Sequence, residues 1–88
     1  MYIRLTSIAD VGKMADLIAQ FRVELRQLRG LPSKPNLELA AEEFGEYLEA
    51  KYPVFVAEEK EELLGYMVCR IDNGVLWAES LFVSEGAR

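Results

Sequence analysis

ESLFVSEGAR, residues 79–88, closes the chain and decides how the rest is read. Leu81, Phe82 and Val83 stand in a row, apolar and sheet-favouring, and predict a strand. Ser84-Glu85-Gly86-Ala87 then reads as a turn opening toward further structure, with the basic Arg88 as the last letter. Neither a C-terminal cap nor a frayed polar tail is visible. The expectation is a chain cut off in mid-fold.

Working outward, Asp72-Asn73-Gly74 carries the Asn-Gly signal of a tight hairpin. It joins the strand 75–84 to an earlier one over 63–71, and residues 59–62 turn that strand back onto 54–58. Pro53 ends a helix capped by Asn36, with Leu37, Ala40, Ala41, Phe44, Tyr47 and Leu48 on its buried side. Glu38, Glu42, Glu43, Glu46 and Glu49 occupy much of the other. Residues 31–35, with Pro32 and Pro35, form a stiff connector. Before it, Val11, Met14, Ile18, Phe21, Leu25 and Leu28 advance alternately by three and four, one helical stripe that Leu17 widens. Gly30 stops that helix, and Arg22, Arg26 and Arg29 suit its C-terminal dipole. Ser7 and Asp10 fit a capping box in which the serine side-chain oxygen would accept the Asp10 N–H. Residues 2–6 make a first strand. The order is β-α-α-β-β-β, an α+β fold with a mainly antiparallel sheet.

Eighty-eight residues make a single domain at most, and a chain this short buries only roughly 60–65% of its unfolded surface. A hydrophobic content of 51% is ample for a core, so disorder is excluded. Fifteen acidic against 10 basic residues give a net charge of −5, which argues against nucleic acid as a partner. With one cysteine, Cys69, and no histidine, neither an internal disulfide nor a zinc-type metal site is expected. The lone cysteine and the missing signal peptide make a cytoplasmic setting the default. No apolar run approaches the roughly 20 residues that span a bilayer, so no membrane partner is expected.

The strands carry one more message. Residues 63–69 and 75–78 are apolar on both alternating faces, so the sheet needs cover on both sides. Two helices cover one face of four strands. The other calls for a second copy, a partner or further sequence, and leaves several of Leu64, Tyr66, Val68, Leu76, Phe82 and their neighbours open. Strand 75–84 is also a free edge, a template for another chain. A homodimer is the expected remedy.

The element order and the stretch from Leu81 to Arg88 resemble the N-terminal half of the GNAT family of acyl-CoA-dependent N-acetyltransferases. In that family the fourth strand runs into a signature of Arg or Gln, two residues, Gly, one residue, and Gly or Ala. The loop opens a helix whose N–H groups hold the coenzyme's pyrophosphate. Arg88 matches the first letter of that signature; its glycines, the helix and the last strands lie outside this sequence. The resemblance implies a half-domain spanning residues 1–88, of an enzyme using acetyl-CoA as cosubstrate, and probes two groups on the fourth strand. Glu79 stands where many members carry a general base for a small-molecule or peptide amine acceptor, a role that typically contributes roughly 10²–10⁴-fold. The plainer reading is a solvated or salt-bridged glutamate. The backbone of Leu81, Phe82 and Val83 would pair with the pantetheine arm, against the plainer reading of an ordinary core strand. Arg88 would join the coenzyme site, and the 88 residues alone would be inactive.

Blander readings suit the rest. The glutamate face of the second helix reads as a solvated surface facing the arginines of the first, and less as a lure for polyamines. Cys69 reads as a small core residue, with no histidine to activate it. The rival to the transferase is a non-catalytic α/β interaction module that completes its fold by dimerising.

Overall fold

The computed structural model describes all 88 residues. Strand β1 (Tyr2–Leu5) leads through a 3-10 turn (Ile8–Asp10) into helix α1 (Val11–Leu28). Helix α2 (Leu37–Glu49) follows, then β2 (Val54–Glu59), β3 (Glu62–Asp72), β4 (Val75–Val83) and a second 3-10 turn, Glu85–Ala87. The four strands form one antiparallel sheet in the order β1-β2-β3-β4. The β-α-α-β-β-β reading holds. No helix is long and apolar enough to cross a membrane.

Local chemistry explains the boundaries. Both β-hairpins close through two residues in the left-handed region: Asn73 and Gly74 at φ 52° and 75°, Lys60 and Glu61 at 51° and 67°. That geometry matches the twist of paired strands. Asn-Gly adopts it cheaply, whereas Lys60-Glu61 holds it without a glycine. Both helices end in a Schellman arrangement. Gly30 N–H reaches Gln27 O and Leu31 N–H reaches Arg26 O, and Lys51 and Tyr52 repeat the pattern onto Leu48 and Tyr47. Asn36 Oδ1 accepts the Leu39 N–H at 3.0 Å, as its capping role requires. At Ser7 the capping box is present: the Asp10 carboxylate accepts the Ser7 N–H at 2.9 Å, and the Asp10 N–H, which donates to the Ser7 carbonyl at 3.0 Å, also faces the Ser7 side chain. The intervening 3-10 turn brings that carbonyl into reach as well.

Register decides the core. Val54 pairs with Val68, Val56 with Tyr66, and Tyr66 in turn with Phe82. Side chains alternate along a strand, so these five lie on one face, where they are buried with Met14 and Ile18 of α1 and Phe44 of α2. The opposite face presents Ile3, Leu5, Phe55, Met67, Leu81 and Val83, and neither helix covers it. An uncovered face is what the strand pattern requires, but its membership differs from expectation: Tyr66, Val68 and Phe82 are buried. A strand apolar on both faces gives no clue to which parity the helices take. The far end of the α1 stripe is also open, Leu28 being 84% exposed. The connecting end of the helix pair stands clear of the core.

A polar lock ties β1 to the rest. Arg4 donates to both Asp10 oxygens at 2.9 and 2.7 Å and doubly to Glu58 Oε1 at 2.9 and 2.7 Å. Tyr2 donates its hydroxyl to Glu58 Oε2 at 2.6 Å. The Arg4 hydrogen bonds hold the Asp10 carboxyl below its ordinary range. At Glu58 the Tyr2 hydrogen bond does so first and Arg4 second.

Candidate active site

The register of β3 with β4 slips by one residue in mid-strand. Val68 faces Ser80 and Cys69 faces Ala78, so Glu79 between them has no partner on β3. It is the extra residue of a β-bulge, a device that bends a strand and re-aims a side chain. The Glu79 carboxylate lies on the helix side of the sheet, where its Oε1 forms an ion pair with Arg70 Nε at 2.6 Å. Both side chains keep over 40% of their surface in solvent. An exposed pair of this kind contributes roughly 0.2–1 kcal/mol, so it positions the carboxylate more than it stabilises the fold.

Two residues on, β4 is an edge. Ser84 N–H donates to Leu64 O at 2.8 Å. Antiparallel pairing alternates, so Phe82 and Ser80 also direct their N–H and C=O groups at β3. Leu81 and Val83 direct theirs outward. The free edge therefore belongs to Leu81 and Val83, while the Phe82 backbone is engaged with β3. The Phe82 ring is buried, stacked on Phe21 at 5.2 Å between centroids. At Gly65 the two strands draw together so closely that a Cβ would lie 2.6 Å from Phe82 O.

Arg88 folds back over this end. Its Nε donates to Val83 O at 2.8 Å, a second nitrogen pairs with Glu24 of α1, and the guanidinium lies 5.5 Å from the Phe82 ring centroid. The structure thus brings Arg88 to the C-terminal end of the β4 edge, with Glu79 at the bulge upstream.

On the helix side, Arg22 pairs with Glu43, and Tyr47 donates its hydroxyl to the other Glu43 oxygen at 2.7 Å. One glutamate of α2 thus meets one arginine of α1, as the solvated-face reading anticipates. The buried Tyr66 hydroxyl lies beside Ser80 without a well-formed hydrogen bond. Burial first, and then the Glu43 charge, pushes its phenol above the ordinary range. Burial and the Glu43 hydrogen bond do the same to Tyr47. Both stay protonated donors at neutral pH. Cys69 is buried and unpaired.

Sequence reasoning did not single out Arg70, Ser80, Arg22 or Tyr66 as neighbours of the site. Arg70 was within reach of it: counting back from Asn73-Gly74 sets Arg70 opposite Trp77, two residues from Glu79. The bulge left no such signal.

No family model and no curated protein sequence matches the chain. Solved structures do. A probable acetyltransferase is similar over 100% of this chain and 60% of its own, with 19% identity and a TM-score of 0.71. A mutant of the BH1408 protein from Bacillus halodurans reaches 0.73 at 22% identity, again over all of this chain and 64% of that one. Ribosomal-protein-alanine N-acetyltransferase from Brucella melitensis gives 0.67 at 21% identity, over all of this chain and 57% of its own. The chain thus spans about three-fifths of the length of these proteins. At such identities the likeness establishes the architecture, and the β-α-α-β-β-β chain has the fold of part of a GNAT-type acetyltransferase.

Proposed function

We propose that these 88 residues are the N-terminal half-domain of an N-acetyltransferase that moves acetyl from acetyl-CoA to a primary amine in the cytoplasm. The observation that carries the reading is the β4 strand itself: a bulged, solvent-reachable glutamate directly upstream of a free backbone edge. An ammonium has no lone pair, so a proton must leave before the nitrogen can attack. Glu79 is placed to take it, held by Arg70 at the bulge until the acceptor arrives. Acetyl-CoA supplies the activated acyl thioester. Its pantetheine amides need a donor and acceptor ladder, and the outward groups of Leu81 and Val83 fit that need. Phe82 anchors the edge through its buried ring. Arg88 would join the pyrophosphate end, once freed from Val83 O and Glu24.

The fit is partial. After β4 the chain offers one short 3-10 turn and Arg88, too few donors to cradle a pyrophosphate. The 88 residues alone should therefore be inactive and show no micromolar affinity for acetyl-CoA by isothermal titration. In a longer polypeptide containing them, Glu79→Gln should lower turnover by roughly 10–10³-fold while the KM for acetyl-CoA holds. The deficit should shrink at high pH, where the amine arrives deprotonated. A variant with wild-type rates at every pH would leave Glu79 an ordinary paired glutamate. The uncovered sheet face favours a second reading, a non-catalytic interaction module, and micromolar acetyl-CoA binding by the isolated chain would count against both.

A further inference from the structure

On the helix side of the β3–β4 hairpin, one aromatic ring stands in water among charged groups. Trp77 faces Arg70 across the two strands, so both share the side of the sheet that carries Tyr66 and Val68. Asp72, two residues beyond Arg70, and the bulge residue Glu79 lie on that side as well. Trp77 is the single tryptophan of the chain and is 53% exposed. Its ring holds no cation: the one cation–π contact of the chain puts Arg88 over Phe82, and Arg70 pairs with Glu79 instead. That pair uses Glu79 Oε1 alone. A carboxylate offers about four lone-pair sites, so Oε2 is left for a second donor. Asp72 and Glu79 against Arg70 leave the patch one charge negative, in a chain that carries −5 overall.

We propose that Trp77 and Glu79 together bind the acceptor as its cation, an alkylammonium end with apolar carbon next to the charged nitrogen. The inference rests on the N-acetyltransferase reading and adds to it the class of amine and the form in which it arrives. Indole is the best of the aromatic faces for a cation, which the ring quadrupole attracts. The ammonium donates to Glu79 Oε2 while its first methylenes lie along the ring, so charge and apolar stem each meet their match. The proton that Glu79 later takes is then already in its reach. A free amino acid instead carries a carboxylate on the carbon beside its nitrogen. It would set that carboxylate against Glu79, Asp72 and the negative ring face, and is disfavoured. Trp77 lies on the other side of the sheet from the uncovered face, so cover on that face does not bury it.

Emission from the single tryptophan of the 88-residue chain reads this contact directly. n-Butylammonium chloride, titrated near neutral pH at constant ionic strength, should change the emission to a plateau. n-Butanol and glycine at the same concentrations should not. For Glu79→Gln the midpoint should rise about two- to fivefold, the range of an exposed ion pair. Trp77→Leu should keep its helical circular dichroism and lose about two- to fivefold in affinity, read from the Glu79 amide by NMR. Should Trp77→Leu unfold, the Glu79→Gln midpoint still decides. A response that never saturates, an equal plateau with butanol or glycine, or an unchanged midpoint in Glu79→Gln overturns the proposal. Failure of the transferase reading looks different. The ammonium would still bind, and a longer polypeptide containing these residues would transfer no acetyl group. Acetyl transfer without this binding would instead move the acceptor away from Trp77.

Discussion

The two faces of the sheet are built from the same kinds of residue and meet opposite fates. On one, Val54, Val56 and Val68 lie at or below 2% exposure beneath Met14, Ile18 and Phe44. On the other, Ile3 and Leu81 keep more than 60% of their surface in water. Nothing in side-chain chemistry separates a valine of the first from a leucine of the second. The helices choose, and they choose by parity along the strand. Apolarity of a residue therefore forecasts the need for cover, and register forecasts who receives it.

The sharpest way to break this comparison is to truncate one side chain at each face: a helix residue packed on the covered one and a strand residue of the open one. Phe44→Ala, at 0% exposure, should cost about 3–5 kcal/mol, a large share of the stability of a small domain. Leu81→Ala should change the monomer's urea midpoint little, because the monomer never buries that side chain. Equal losses at the two sites would mean that the faces do not differ as described. Gly65→Ala sharpens the comparison, because it lies on the open face and should nevertheless hurt. Its new methyl would meet backbone at 2.6 and 3.2 Å, and overpacking of that order costs about 1–3 kcal/mol. Hydrogen exchange should show the loss confined to the β3–β4 ladder.

Next in size is the polar lock on β1. Asp10 and Glu58 have folded-state pKa values below their ordinary ones, so their contribution is fully present above about pH 4.5 and falls away as pH drops through the folded values. Arg4→Met reduces the shift at both: Asp10 keeps the Ser7 backbone hydrogen bond and Glu58 keeps that of Tyr2. The variant should lose stability at pH 7 and resemble the parent most closely at pH 2. An unchanged acid-unfolding curve would show that the arginine does not couple the two carboxylates to folding. The smallest effect is expected at Glu79→Gln, whose ion pair with Arg70 is exposed; its urea midpoint should move by less than about 1 kcal/mol equivalent. Of these variants it is the one in which stability and the proposed chemistry separate cleanly.

The parts of this structure legible in the sequence are those set by neighbours in the chain. Asn73-Gly74, Asn36 and Gly30 mark turn and caps because a left-handed φ or a capping oxygen is a local demand. The element order and the uncovered sheet follow from hydrophobic period alone. The membership of the open face and the unpaired status of Glu79 were not legible. Each depends on what stands opposite: a bulge exists only relative to its partner strand, and the Arg4 lock joins residues 54 positions apart. The free groups of β4 were narrowed from three residues to two by pairing geometry that no side chain encodes.

That separation in sequence bears on how the chain folds. The β2-β3-β4 meander closes through two-residue turns and the α1–α2 pair through a short connector, so both form from contacts close in the chain and should form early. β1 must instead find β2 from the far end, with Tyr2 bonding Glu58 across 56 positions, and it has a neighbour on one side only. Loop closure charges it more entropy than any other element. β1 should be the last strand to dock and the first to open, its amides exchanging well ahead of β3. During those openings β2 becomes the sheet edge, so a free β1 from a neighbouring chain could take the vacant place. Strand exchange would then be a slow, concentration-dependent phase in refolding, seated at the N-terminus.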